Sequence, residues 1–484
     1  MLRHARCGRY ILLFFIVSLF LPAVCLSADN DLQQIKTLIK KHGFKSKGIG
    51  IYIRATDAST PLVTINDEIP FNPASVIKLV TTAVAIDQMG AGYRWRNEVL
   101  YDGKIRSGHL KGNLYFRGNG DPYLTPERFW RLLNKIYIEG VRQIDGNVYI
   151  DNSYFQPEAI DYAAFDNQPY RSYHVGPDAV LVGFQVTELH FSIENGKLII
   201  TPFPNAKYIA IDNQVKLRLH GNCGRWEKRL QLTPRMERGI LQVKINGHYA
   251  ISCQNRTMYR RLSEAKDNFA LFFQPLWQQI GGAVSGAISH KLVPKEAIEL
   301  LQEDSISLSE AIRYINKFSN NVMTRQVLLS LGAYKQGAPG TTEKGIRSIE
   351  QWLDDRIAAR QISDRKSLVL DNGAGLSREA RISAKMLGEL LFYVFRQAYM
   401  PDFIASLPIS GYDLTMEDRF GNDALTGKVY MKTGLLDFVQ TMAGYVYSAS
   451  GKRFIVVMLH NDPAAHTQKA ARLQNDVLRW VYQQ

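Results

Sequence analysis

The chain has 484 residues, with 59 Lys and Arg against 45 Asp and Glu and a formal net charge of +14. The basic residues are dispersed, no Lys/Arg-rich run or nucleic-acid module is present, and a polynucleotide partner is therefore excluded; an anionic polymer or a membrane surface remains. A chain of this length is expected to form about three domains.

Residues 1–28 read as a secretory signal. Met-Leu-Arg-His-Ala-Arg-Cys-Gly-Arg is basic and free of acids, residues 10–21 are apolar, and Ser27-Ala28 supplies a small-residue cleavage site. No other stretch is long and apolar enough to cross a bilayer. Cleavage takes three arginines and no acids from the +14 and leaves +11. A periplasmic location follows, with peripheral contact to a membrane or wall surface. Cys7 and Cys25 fall in the signal, so Cys223 and Cys253 remain as an expected disulfide in an oxidising compartment. The ten histidines are scattered, and neither Cys-x-x-Cys nor His-Glu-x-x-His occurs. No metal and no cofactor is expected.

An amphipathic helix is expected over 31–42, then strands over 48–54 and 61–65 around a Thr56-Asp57-Ala58-Ser59 turn. Residues 72–89 follow as a helix with Asn72 as N-cap, Pro73 at the first position and Gly90 at the end. Val76, Ile77, Leu79, Val80, Ala83, Val84, Ile86 and Met89 make it apolar on nearly every side, so it belongs in the core. Its first turn carries Ser75 and Lys78, three residues apart on one face. A desolvated lysine becomes a neutral base, and a serine beside it an activated nucleophile. Ser-x-x-Lys occurs three times, but Ser263–Lys266 and Ser363–Lys366 are surrounded by charge and read as surface.

From about 95 to 265 the texture changes to short strands, at 98–101, 112–117, 147–151, 188–193, 197–201, 207–211, 214–219 and 239–245. The division expected is a core of 29–95 and 266–484, with 96–265 as a β-rich insertion of two nested subdomains. Helices return at 269–280, over the periodic stretch 308–331, and at 342–360 and 383–397. Strands at 428–434, 438–447 and 453–459 and a helix at 466–482 close the chain. The early strands then join the late ones in an antiparallel sheet covered by helices, an α/β core interrupted by an insertion.

Two further segments can complete a site. Ser319-Asn320-Asn321 is the only Ser-x-Asn in the chain, at the end of a helix or between two helices. Lys432-Thr433-Gly434 is unique and lies on a strand, where alternation separates Val429, Met431 and Thr433 from Tyr430 and Lys432, and where a glycine lets another backbone approach.

Ser-x-x-Lys opening a buried helix, Ser-x-Asn in a helical segment and Lys-Thr-Gly on a strand, in this order, are the motif set of penicillin-binding proteins and serine β-lactamases. Phe71-Asn-Pro-Ala-Ser-Val-Ile-Lys, the run 112–124, Ile315-Asn-Lys-Phe-Ser-Asn-Asn, Asp371-Asn-Gly-Ala-Gly-Leu-Ser-Arg and Gly444-Tyr-Val with Gly451-Lys further resemble the D-alanyl-D-alanine carboxypeptidase/endopeptidase family S13, over about 48–461. The long gap between Ser75 and Ser319 fits that family's insertion.

The resemblance implies a transpeptidase-like domain and acyl transfer on peptidoglycan stem peptides, with β-lactams as inhibitors. It assigns Ser75 as nucleophile, Lys78 as base, Ser319 as proton relay near Lys432, and Asn321 as orienting group. Lys432 and Thr433 would hold the terminal carboxylate next to Gly434, and the N–H groups of Ser75 and Leu435 would form the oxyanion hole. The chain departs from the family at Leu435 (usually Thr), Ala374 (usually Ser), Arg325 (commonly an acid), Asp413-Leu414-Thr415 (usually Gly-Thr-Leu) and around Asp166. Leu435 best supports the rival reading of a catalytically weak wall-binding protein. The long insertion disfavours a β-lactamase.

Overall fold

The computed structural model describes residues 21–204 and 207–484. Residues 1–20 of the expected signal lie outside this range. A helix runs over Leu21–Lys41.

The sheet that carries the site is antiparallel throughout and joins the two ends of the chain. Its strands are β1 (Ile49–Ala55), β2 (Val63–Ile65), β3 (Val429–Leu436), β4 (Val439–Tyr447) and β5 (Arg453–Asn461), in spatial order β3-β4-β5-β1-β2. The register pairs Ile51 with Met458 and Gly434 with Thr441. One face buries Ile51, Met431, Met442, Val456 and Met458 against Ile35, Ile39, Leu473 and Val477 of the terminal helices. The other buries Tyr52, Ala443, Tyr445, Ile455 and Val457 against Val76, Val80, Leu387 and Leu391. Both faces are covered, so Phe454–Leu459 is apolar at every position and carries no period-two signal. On β3 the alternation holds: Val429 and Met431 enter the first core, while Tyr430 packs against the second.

The central helix α1 runs over Lys78–Met89, and it begins later than its sequence suggests. The Asn72 side chain accepts from the Ala74 N–H at 2.9 Å, which turns the chain through Ala74 at a φ of 45°. A 3₁₀ turn over Ala74–Ile77 follows. Asn72 therefore caps a tight turn rather than the helix, Ser75 sits in that turn, and Lys78 sits where it widens into α1.

The inserted region is built on four smaller sheets. Arg94–Tyr101, Leu114–Gly118, Val148–Asp151, Ile288–His290 and Ile298–Ser307 form one, and a four-stranded sheet beside it includes His109–Lys111 and Ala283–Val284. Two three-stranded sheets between residues 187 and 260 have their own core around Leu189, Phe191, Leu241, Val243 and Tyr249. The expected boundary at 265 is too early: Ile298–Ser307 pairs with Arg94–Tyr101, which carries the inserted sheets to Ser307. The strands expected at 207–211 and 214–219 are one strand, Ile209–Arg218, in unbroken parallel register with Ile240–Ala250. A helix not expected from the sequence, Pro126–Ile138, is capped by Thr125 and buries Phe129, Leu132, Leu133 and Ile136, a spacing that marks one helical face.

Cys223 and Cys253 are joined across this nested part, with a Cα–Cα distance of 4.7 Å. By loop closure a bridge of this span contributes about 3–4 kcal/mol. Cys253→Ser is expected to lower the unfolding free energy of the inserted region by that amount in chemical denaturation.

The stretch 308–331 is divided into α2 (Leu308–Phe318) and α3 (Asn321–Gln336). Helix α2 opens with a capping box between Ser307 and Glu310 and ends at Ser319, which adopts the left-handed conformation at a φ of 54°. Asn320 then caps α3 by accepting from the Met323 N–H at 3.0 Å. The Ser-x-Asn motif is thus the break between two helices.

Candidate active site

Ser75, Lys78, Ser319, Asn321 and Lys432 converge on one point between α1, the α2–α3 break and β3. Lys78 has no solvent exposure. Its Nζ lies 3.1 Å from Ser75 Oγ and 2.7 Å from Asn321 Oδ1, and also contacts the Ala374 carbonyl oxygen. Burial draws its pKa well below 10.5, and the positive charges of Lys432 and Arg325 push it further the same way. A neutral amine has two N–H donors and one lone pair. Asn321 Oδ1 and Ala374 O are acceptors and take the donors, so the lone pair is left for the Ser75 hydroxyl.

Lys432 is also fully buried, and its Nζ donates to Ser319 Oγ at 3.0 Å and to Thr433 O at 2.8 Å. Burial lowers its pKa to about 7. Two buried lysines thus stand at the site, each beside a serine hydroxyl. The left-handed Ser319 and the cap at Asn320 turn the chain so that Ser319 faces β3 and Asn321 faces α1.

Close backbone approach brings β3 onto Ser75. A Cβ built on Gly434 would stand 2.8 Å from Ser75 N, 2.9 Å from Ala74 Cβ and 2.4 Å from Thr441 Oγ1. Only glycine fits there. Thr441 Oγ1 donates to Pro73 O at 2.7 Å and ties β4 to the same turn. The segment 371–378 closes the other side. Asn372 Oδ1 accepts from the N–H groups of Ala374 and Gly375 at 3.0 and 3.2 Å, and Gly375, at a φ of 85°, passes so close to Ala74 O that a side chain would collide.

Thr433 is partly exposed beside the cleft, and Leu435 lies at its lip, 64% exposed. A leucine side chain there carries no hydrogen-bond donor. Sequence reasoning missed three groups. Ala374 contributes a carbonyl that its side-chain identity does not reveal, Thr441 lies outside all three motifs, and Tyr173 is in the inserted region. Tyr173 O accepts from Asn321 Nδ2 at 3.2 Å. Its neighbourhood also places Asp166, whose carboxylate accepts from Tyr173 Oη at 2.5 Å and lies 2.9 Å from His174 Nε2.

A serine hydroxyl against a buried amine, a second buried lysine beside a serine, and a backbone N–H facing a glycine strand define the penicillin-binding class of active-site-serine acyl transferases. The model of the D-Ala-D-Ala carboxypeptidase 3 (S13) family matches residues 32–481. The chain belongs to that family, and with it to the penicillin-sensitive serine peptidases that act on peptidoglycan. It is 25% identical to the D-alanyl-D-alanine carboxypeptidase of Actinomadura sp. (strain R39) over 89% of this chain and 81% of that one. It is 23% identical to the D-alanyl-D-alanine carboxypeptidase DacB of Haemophilus influenzae over 83% and 84%. The fold is similar to the crystal structure of penicillin-binding protein 4 from Haemophilus influenzae, with a TM-score of 0.74, 19% identity and coverage of 93% and 99%. It is also similar to a predatory endopeptidase of Bdellovibrio bacteriovorus, with a TM-score of 0.54, 13% identity and coverage of 90% and 92%.

Proposed function

We propose that Ser75 is the nucleophile of a DD-carboxypeptidase and DD-endopeptidase, with Lys78 as its base. The observation that carries this reading is the 3.1 Å contact between Ser75 Oγ and a fully buried Lys78 Nζ whose donors are already taken. Ser75 Oγ gives its proton to Lys78 Nζ and attacks the carbonyl carbon of the penultimate D-Ala. The tetrahedral oxyanion is held by the N–H groups of Ser75 and Leu435, each worth about 3–4 kcal/mol in comparable sites. The C–N bond breaks as the leaving amine takes a proton relayed through Ser319 beside Lys432. Water then attacks the acyl-enzyme and frees the peptide carboxylate and Ser75. Asn321 orients Lys78 and the substrate amide, and Lys432 and Thr433, next to Gly434, meet the terminal carboxylate. A β-lactam carbonyl enters the same first step and its ring opens, so the leaving nitrogen stays tethered and the adduct persists.

The reading takes residues 29–95 and 308–484 as the catalytic unit and the β-rich sheets between them as the insertion. It includes export to the periplasm through a cleaved segment ending at residue 28, and peripheral contact of the basic surface with wall or membrane. Intact-protein mass spectrometry of residues 29–484 with benzylpenicillin tests it. One penicilloyl adduct is expected, absent from Ser75→Ala. A folded protein with no adduct would favour the wall-binding reading, for which the exposed Leu435 is the best support, and rapid drug turnover without an adduct would indicate a β-lactamase.

A further inference from the structure

Arg325 lies four residues beyond Asn321 on α3, one helical turn along the same face. Its side chain keeps some contact with solvent, yet the guanidinium is deep enough that desolvation lowers its pKa. It forms no ion pair among the described residues. Instead Nη1 donates to two consecutive carbonyl oxygens of the inserted region, His174 O at 3.2 Å and Val175 O at 2.7 Å. Asp371 and Glu158 favour its charge only from beyond ion-pair distance, and a cation drawn into protein without a paired carboxylate is costly, so its place asks for a reason.

The residue just before those carbonyls supplies it. Tyr173 O accepts from Asn321 Nδ2, and Asn321 Oδ1 accepts from Lys78 Nζ. An asparagine amide has two orientations that fill the same space, with oxygen and nitrogen exchanged. A carbonyl can only accept, so Tyr173 O selects the orientation with Nδ2 toward itself and Oδ1 toward Lys78. With the turn withdrawn, the amide can flip and present N–H groups to the amine. Lys78 then loses an acceptor for its own donors, and its lone pair is no longer reserved for Ser75.

We infer that Arg325 is a positioning residue of this active site: it clamps the 172–175 turn of the inserted region onto α3, which fixes the Asn321 amide and thereby aims Lys78 at Ser75. The inserted region is then part of the catalytic apparatus through backbone carbonyls alone, and the nucleophile depends on a segment about a hundred residues away in sequence from Ser75. The charges facing Lys78 agree with this. Lys432 from β3 and Arg325 from α3 both disfavour its protonation, while Ser75, Asn321 and Ala374 meet it as neutral dipoles.

The inference rests on the Ser75 acylation reading. A double-mutant cycle separates the two. Rate constants for acylation by a chromogenic cephalosporin would be measured in the wild type, Arg325→Met, Asn321→Ala and the double variant, with thermal melts of each. Arg325→Met alone is expected to slow acylation roughly tenfold, and to add at most about twofold in the Asn321→Ala background, because the amide it orients is gone. Arg325→Lys, which keeps a donor and the charge, is expected to recover part of the rate and keep the wild-type position of the acid limb in the pH profile. Losses that multiply independently, or an unchanged rate in folded Arg325→Met, would overturn the clamp. A wild-type protein that is not acylated at all would overturn the Ser75 reading itself, and the clamp with it.

Discussion

Lys78→Met is expected to slow acylation of Ser75 by about a thousandfold or more while the protein still folds. General-base assistance is worth roughly 10²–10⁴ in rate, and among the described residues Lys78 is the titratable side chain hydrogen-bonded to Ser75 Oγ: Asn321 and Ala374 present amide oxygens, and Lys432 holds Ser319 and Thr433. Methionine nearly matches the volume and suits a fully buried position. The pH profile sharpens the test. On the proposed mechanism acylation requires neutral Lys78, so the rate is expected to fall as pH drops through a Lys78 pKa that burial holds well below 10.5. In the proposed role Lys432 acts in the opposite sense, because a lysine must be charged to meet a carboxylate. With its pKa lowered to about 7, kcat/KM for a carboxylate-bearing substrate is expected to decline above about that pH in the free enzyme. Lys78→Met should erase the acid limb and keep the alkaline one. Stopped-flow acylation over a wide pH range reads both limbs. A variant with wild-type rate and both limbs intact would exclude Lys78 as the base.

What was legible in the sequence was what depends on side-chain identity and short range. The three motifs are contiguous in the chain, and each residue in them is chemically committed: a serine, a lysine and a glycine that nothing else replaces. The five side chains that the structure brings together are therefore all named by the sequence motifs. The antiparallel pairing of the two chain ends was also legible, because 48–65 and 428–459 carry strand signals at both limits of an interrupted core. What was not legible is backbone and context. Asn72 looks like a helix cap, yet its side chain turns the chain one step earlier through Ala74, so the helix starts at Lys78. Ala374 O, Tyr173 O and the carbonyls held by Arg325 leave no trace in residue type. The inserted sheets run past the expected boundary because no strand is expected from the sequence at 298–307, and only its pairing with Arg94–Tyr101 shows which sheet that segment completes.

Gly434→Ala tests the part of the site that side chains do not make. The added Cβ would meet Ser75 N at 2.8 Å, Ala74 Cβ at 2.9 Å and Thr441 Oγ1 at 2.4 Å. Thr441 can yield only by releasing the Pro73 carbonyl that it holds at 2.7 Å, and Ser75 N and Ala74 belong to the tight turn itself. The strand must retreat from the nucleophile by some tenths of an ångström. That retreat widens the gap between the Ser75 and Leu435 N–H groups at the moment when both should converge on one oxygen. The loss of one oxyanion donor costs roughly 10²–10³ in rate, and acylation is expected to fall by that amount. The strain of a single added methyl in a packed core is about 1–3 kcal/mol, so the melt should shift by a few degrees while the circular dichroism stays that of the wild type. Gly92→Ala is the matched control, since a Cβ there meets nothing within 4 Å. Retained acylation in folded Gly434→Ala would show that the oxyanion is held somewhere other than the Ser75 N–H. A fall confined to Gly434 would place that stabilisation in the backbone of β3 and the Ser75 turn, where substitution of the Leu435 side chain alone leaves it intact.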